Sequence, residues 1–252
     1  MEIQLPHPID VNRANRYILT IEVHPIRFAF TLFDTENPND SFEYSISGND
    51  LHSAFTQFQN AYFDNVFFAF SYKKIRIINY LPNFTFVPRL LFEAKDKEKY
   101  MQFLFVSASG QILTQTLSHP GLVILHEIPK EISGFFQRTF VDAQFSHFSA
   151  CLIEHYQQTP VFQNGKRMFV QKQANSLYIT CFSSKNLLLC NHFECRKPGD
   201  ASYYVLYLWK QLNFDQQQDF LFISDENQDL TDKMRPYIAH ISSLQPVSPC
   251  AL

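Results

Sequence analysis

The chain has 252 residues with 21 basic and 24 acidic side chains, a formal charge of −3 spread without long like-charged blocks. Such a surface offers no electrostatic footprint for a phosphate backbone, so nucleic acid is not an expected partner. Apolar residues make up 46% and aromatics 16%, a load that cannot stay solvated and demands a core.

Five cysteines, Cys151, Cys181, Cys190, Cys195 and Cys250, form an odd set, and the opening MEIQLPHPID has neither a basic n-region nor an apolar h-region. The expected compartment is the reducing cytoplasm. The longest apolar runs, such as 66–70, fall far short of the roughly 18–20 residues that span a bilayer. No membrane insertion is expected.

In chain order, 17–34 reads as two strands around a turn at His24-Pro25, with Phe28, Phe30 and Leu32 on one face. A third strand is expected at 42–47. After Ser47-Gly48, Asn49 or Asp50 can cap a helix whose apolar face is Leu51, Ala54, Phe55, Phe58 and Tyr62. The aromatic run 66–70 is expected to be a short fourth strand. A second hairpin, 74–79 with 84–87, is expected next, then a helix near 93–105, a strand at 122–127, and helices near 132–140 and 147–158. The alternating charges from Glu93 to Lys99 read as a solvated helix face.

The order then repeats, with strands at 168–172 and 177–182 around Ala174-Asn175 and a third at 187–193. Pro198-Gly199-Asp200 opens a helix with the face Ala201, Tyr204, Val205, Leu208 and Leu212, and a strand closes the unit at 220–224. Those five helix positions, and Ala174 against His24, each follow their counterpart at one fixed offset, which points to a duplication. A short helix over 230–239, broken at Pro236, ends the pattern. The expected division is an N-terminal half, 1–160, carrying the inserted hairpin and helices, and a C-terminal half, 161–252.

The opening hairpin, the segment NFTFVPRLLF (83–92), and NLLLCNHFE (186–194) followed by DASYYVLYLWKQL resemble DUF3822, a family of Bacteroidetes proteins of unknown function with the actin-like ATPase fold. The resemblance runs over essentially the whole chain. It implies an α/β, ribonuclease H-like fold duplicated as two β-β-β-α-β subdomains facing each other.

In that class each first turn wraps phosphate with a glycine-rich backbone beside an Asp near the metal, because the chain must come close to the phosphates. Here Glu22 stands where the class has Asp, His24 where it has Gly, and Pro25, which lacks an N–H, where it has Thr or Ser. The second turn, Val170 to Ser176, has neither an acid nor a glycine, and Ser224-Asp225 stands where the adenosine-side motif is Gly-Gly. None of the six glycines is spaced as GxG, which leaves no Walker or Rossmann loop. The implied protein is a pseudo-ATPase with no cofactor, serving as a binding or scaffold module for a protein partner, as actin-like pilus-assembly and secretion proteins do. The alternative is an enzyme or sensor holding a nucleotide or phosphometabolite in a degenerate cleft between the lobes, at Glu22, His24, Arg27, Lys172, Asn175, Ser224 and Asp225.

Other clusters have plainer readings. His147, Cys151 and His155 recur along one side of an expected helix beside Glu154 but lack a fourth metal ligand. Cys190, His192 and Glu194 share a strand face, with Cys195 on the other, and read as core or hydrogen-bonded residues. There is no GxSxG or HExxH motif. Tyr203 and Tyr207 form a second aromatic stripe beyond the helix's core face, the one expected contact surface for a partner.

Overall fold

A computed structural model describes Ile3 and residues 11–38, 41–106, 108–118, 121–159, 165–224 and 228–247. The chain divides into two compact units, Met1–Thr116 with Gly121–Phe148, and Leu117–Pro120 with Ser149–Leu252.

The first unit opens with β1 (Tyr17–Val23), β2 (Arg27–Asp34) and β3 (Phe42–Ser47), antiparallel in sequence, followed by α1 (Leu51–Asp64). Helix α1 starts where it does because Asp50 caps it. Its carboxylate accepts from the Ser53 amide at 2.7 Å, and its own amide donates to the Ser53 hydroxyl at 3.1 Å. Gly48 is required just before the cap, because a Cβ there would lie 2.3 Å from the Ala54 nitrogen.

The run 66–70, expected as a strand, is instead a single 3-10 turn, Val66–Ala69, that tucks Phe67 and Phe68 against Phe30 and Phe58. The fourth strand is β4 (Lys74–Asn79), parallel to β1, and the expected hairpin does not form. Its second arm, β5 (Phe84–Pro88), belongs to a separate three-stranded sheet, ordered β5-β7-β6, with β6 (Gln111–Thr116) and β7 (Leu122–Ile128). Helix α2 (Lys97–Leu104) covers that sheet with Met101, over a small core of Val87, Ile112, Val123 and Leu125. The chain returns through α3 (Lys130–Thr139) to β8 (Gln144–His147), parallel to β4, completing a sheet ordered β3-β2-β1-β4-β8. Phe28, Phe55, Phe58, Phe135 and Phe136 weld α1 and α3 to one face of it.

The second unit takes up the chain at Ser149, the second residue of α4 (Phe148–Gln158), and repeats the sheet with β9 (Lys166–Gln173), β10 (Ser176–Ser183), β11 (Asn186–Glu194), α5 (Asp200–Gln211) and β12 (Phe220–Ser224). Helix α6 (Gln228–Met234) then leads to β13 (His240–Leu244), parallel to β12, in the order β11-β10-β9-β12-β13. This is the first sheet's order and orientation, three antiparallel strands then two parallel ones, so both units carry the same fold. Helices α5 and α6 cover one face through Val205, Leu208, Trp209, Leu230 and Met234, while Tyr156 of α4 stacks on Phe169 at 4.2 Å.

Candidate functional site

In the first unit the β1–β2 turn is tight, with the His24 amide donating to the Arg27 carbonyl at 2.9 Å and the Gly48 amide to the Ile26 carbonyl at 2.8 Å. Period two puts Glu22 and His24 on one face, and the parallel neighbour β4 delivers Tyr80 beside them, its amide bonded to the Val23 carbonyl at 2.9 Å. The His24 ring stacks on Tyr80 at 4.0 Å, and Tyr80 in turn stacks on Phe148 at 4.2 Å. Glu22 and His24 are each only 8% exposed, and their Oε2 and Nε2 lie 2.8 Å apart.

That short contact to a carboxylate assigns the proton to Nε2, which donates to Glu22. Arg27 Nη2, 3.3 Å from the same nitrogen, then cannot donate to it and acts as a nearby positive charge. Burial pushes the His24 pKa below its ordinary value; Glu22 pulls it up, and Arg27 reinforces the fall. The imidazole is therefore neutral at pH 7, and the turn is filled by side chains that satisfy one another. Sequence reasoning missed Tyr80, which comes from a different strand; its only signal is an aromatic placed directly after the strand that neighbours β1.

In the second unit the β9–β10 turn is two residues, Ala174-Asn175, with Ala174 in the left-handed region at φ +50. Lys172 and Asn175 line a cavity of about 420 Å³ together with Arg196, Lys197, Gly199 and Lys233. Arg196 pairs with Glu194 at 2.8 Å and Lys233 with Asp229 at 2.6 Å. Ser224 is buried at the end of β12, and Asp225 lies outside the described residues. Glu22, His24 and Arg27 thus form one group, and Lys172 with Asn175 another.

His147 is the last residue of β8 rather than the first of a helix, and its Nε2 meets the Leu81 carbonyl at 3.0 Å, so it does not line up with Cys151 and His155. Cys190 is buried against Ser149 and Thr180, its thiol pushed up to about 11 by burial, whereas Glu194 is exposed and paired with Arg196. Among the described residues no group of three His, Cys, Asp or Glu side chains is placed to hold a metal ion. None of the helices among them is long and apolar enough to cross a membrane. Tyr203 and Tyr207 stack on each other at 5.8 Å on the outer side of α5, 61% and 47% exposed.

Two sheets in the order 3-2-1-4-5, each with helices after the third and fourth strands, define the actin-like ATPase fold. The same fold appears in a crystal structure of a Bacteroides thetaiotaomicron protein described as having an actin-like ATPase fold and unknown function. It is 27% identical to this chain, covers 94% of each chain and gives a TM-score of 0.81. The chain belongs to the family described as protein of unknown function DUF3822, whose model matches residues 6–241. More distant similarity reaches the PilM–PilN type IV pilus biogenesis complex, at 9% identity, TM-score 0.47 and 93% and 91% of the two chains. It also reaches the ethanolamine utilization protein EutJ from Carboxydothermus hydrogenoformans, at 6% identity, TM-score 0.44 and 94% and 86% coverage. No protein of curated function matches it in sequence.

Proposed function

We propose that this protein is a pseudo-ATPase, a non-catalytic module of actin-like fold that binds a protein partner. The observation that supports it best is the Glu22–His24–Tyr80 stack. The carboxylate in the place of the class's metal-side Asp is spent on His24, 2.8 Å away, and the His24 ring, stacked on Tyr80, stands where the class has a glycine beside the phosphate. Tyr203 and Tyr207 are the residues through which the partner is met, as rigid aromatic anchors free of the core.

The test has two arms on purified protein. Mg-ATP at about 1 mM is expected to leave the melting temperature unchanged and to show no turnover above background; several degrees of stabilisation would overturn the reading, since a ligand held at many times its Kd must stabilise. Tyr203→Ser/Tyr207→Ser is expected to melt within about 2 °C of wild type, as exposed positions do, while losing partner binding.

A second reading, a phosphometabolite sensor, is favoured by the cavity in the second unit, whose lining includes Lys172, Asn175 and Lys197. Stabilisation by inorganic pyrophosphate that Lys172→Ala and Lys197→Ala remove would favour it over the first.

A further inference from the structure

The two units satisfy one equivalent position in different ways. Strand β1 sets Ile21 against Ile77 as β9 sets Val170 against Ile223, and Val23 faces Phe28 across its hairpin as Lys172 faces Leu177. Gln171 therefore holds in the second unit the place that Glu22 holds in the first. Glu22 is satisfied from within its own turn, by His24 at 2.8 Å. Gln171, 1% exposed, is satisfied from 76 residues away, by the segment that follows β13.

That contact is made with main chain. Gln171 Oε1 accepts from the Val247 amide at 3.1 Å, and its Nε2 donates to the Val247 carbonyl at 3.4 Å, so one side-chain amide meets both polar groups of a single residue. The Tyr156 hydroxyl donates to the same Oε1 at 3.4 Å. A reader of this kind selects an N–H and a C=O rather than a side-chain type, as sites for extended peptides do. Within residues 245–247 only Val247 is buried, while Gln245 is exposed. A segment held at one residue, by hydrogen bonds longer than the common length of about 2.9 Å, opens more readily than a strand of the ladder. Opening bares a donor and an acceptor that β9 holds at the spacing of one peptide residue. Glu22 shows that the sheet needs no such segment to close this position.

We propose that Gln171 is the centre of a site for an extended peptide, which residues 245–247 of the same chain occupy as a latch and which an extended segment of a protein partner takes over by exchange. The site lies on the sheet face opposite α5, away from Tyr203 and Tyr207, since its neighbour Val170 points into the core under that helix. It rests on the reading of this protein as a binding module and gives that module a second point of contact.

The probe is a capped peptide of residues 243–249, SLQPVSP, titrated into the whole chain and followed by NMR. Val247→Pro, which removes the N–H that Gln171 accepts from, is expected to free the site and bind the peptide with a Kd below about 0.5 mM. Wild type, whose latch competes at an effective concentration on the order of a few mM, is expected to bind about tenfold more weakly. Adding Gln171→Ala to Val247→Pro is expected to abolish binding. Should Val247→Pro not fold, hydrogen exchange on wild type decides: the Val247 amide is expected to exchange at least about tenfold faster than the β9–β10 ladder, and about twofold faster again with about 5 mM peptide. A Val247→Pro chain that binds nothing at about 5 mM peptide, binding that Gln171→Ala leaves unchanged, or a Val247 amide that exchanges no faster than the ladder would each overturn the proposal. Mg-ATP and the Tyr203/Tyr207 variant test the pseudo-ATPase reading separately, so a negative peptide result strikes this site alone.

Discussion

His24→Ala asks whether the β1–β2 turn is a filled, structural element or an idle one. The ring is buried and contributes three separable effects. Removing it from between Glu22 and Tyr80 forfeits about 1.5–2 kcal/mol of burial and about 0.5–1 kcal/mol of ring stacking, the latter at a centroid distance of 4.0 Å. It also leaves the Glu22 carboxylate, 8% exposed, without the donor now 2.8 Å away, a loss of about 1–3 kcal/mol. The expected loss is therefore about 3–6 kcal/mol, or a melting temperature lower by roughly 6–24 °C for a chain of this size. Far-UV circular dichroism during urea and thermal unfolding measures it at pH 7.5, and Glu22→Gln, which keeps an acceptor, is expected to lose less than half as much. A His24→Ala protein within about 1 kcal/mol of wild type would refute the argument, for it would mean that the turn tolerates open space and could admit a ligand.

Two further predictions concern pH and backbone strain. Burial lowers the pKa values of His24, His126, His155 and His192, with His126, packed by His147 and Asn79, held well below its ordinary value. Folded values below the unfolded value of about 6.5 mean that the unfolded chain binds more protons. Stability is then complete above that pH and falls below it, by up to about 1.4 kcal/mol per pH unit for a fully buried imidazole. Urea midpoints at pH 7.5, 6.5 and 5.5 check this, and a midpoint rising toward acid would contradict it. Ala174, at φ +50, is strained as alanine, and Ala174→Gly is expected to stabilise the protein by about 0.5–1 kcal/mol in the same assay; a loss would show that the turn is not strained there.

How far the sequence spoke depended on whether a segment's partners were local. Strands β3 and β12 have the expected bounds because apolar alternation ends at a turn on each side, and the helices after them follow from one clean apolar stripe and a cap. The run 66–70 misleads because a short apolar stretch fits a strand and a buried turn equally well; what decides is the C-terminus of α1 just before it, which leaves room for one turn. Strands β6, β8 and β13 were invisible, since QILTQT, QFSH and HISSL have little apolar periodicity and are strands because a neighbour supplies the ladder. Of the candidate site, Glu22, His24 and Arg27 were legible from their spacing around a turn, whereas Tyr80 depends on β4 lying parallel to β1, a pairing no local pattern encodes.

The insert between β4 and α3 has a kinetic consequence. In the second unit the parallel neighbours β12 and β13 are separated by residues 225–239, but in the first unit β4 and β8 are separated by 80–143, roughly four times the length. Closing the longer loop adds about 1.2 kcal/mol of chain entropy to the barrier unless the three-stranded sheet has formed first and shortened the path. Two copies of one fold in one chain are thereby set to assemble at different speeds. The C-terminal sheet, on which α5 packs the single Trp209, closes from local contacts, and the N-terminal sheet waits on its insert.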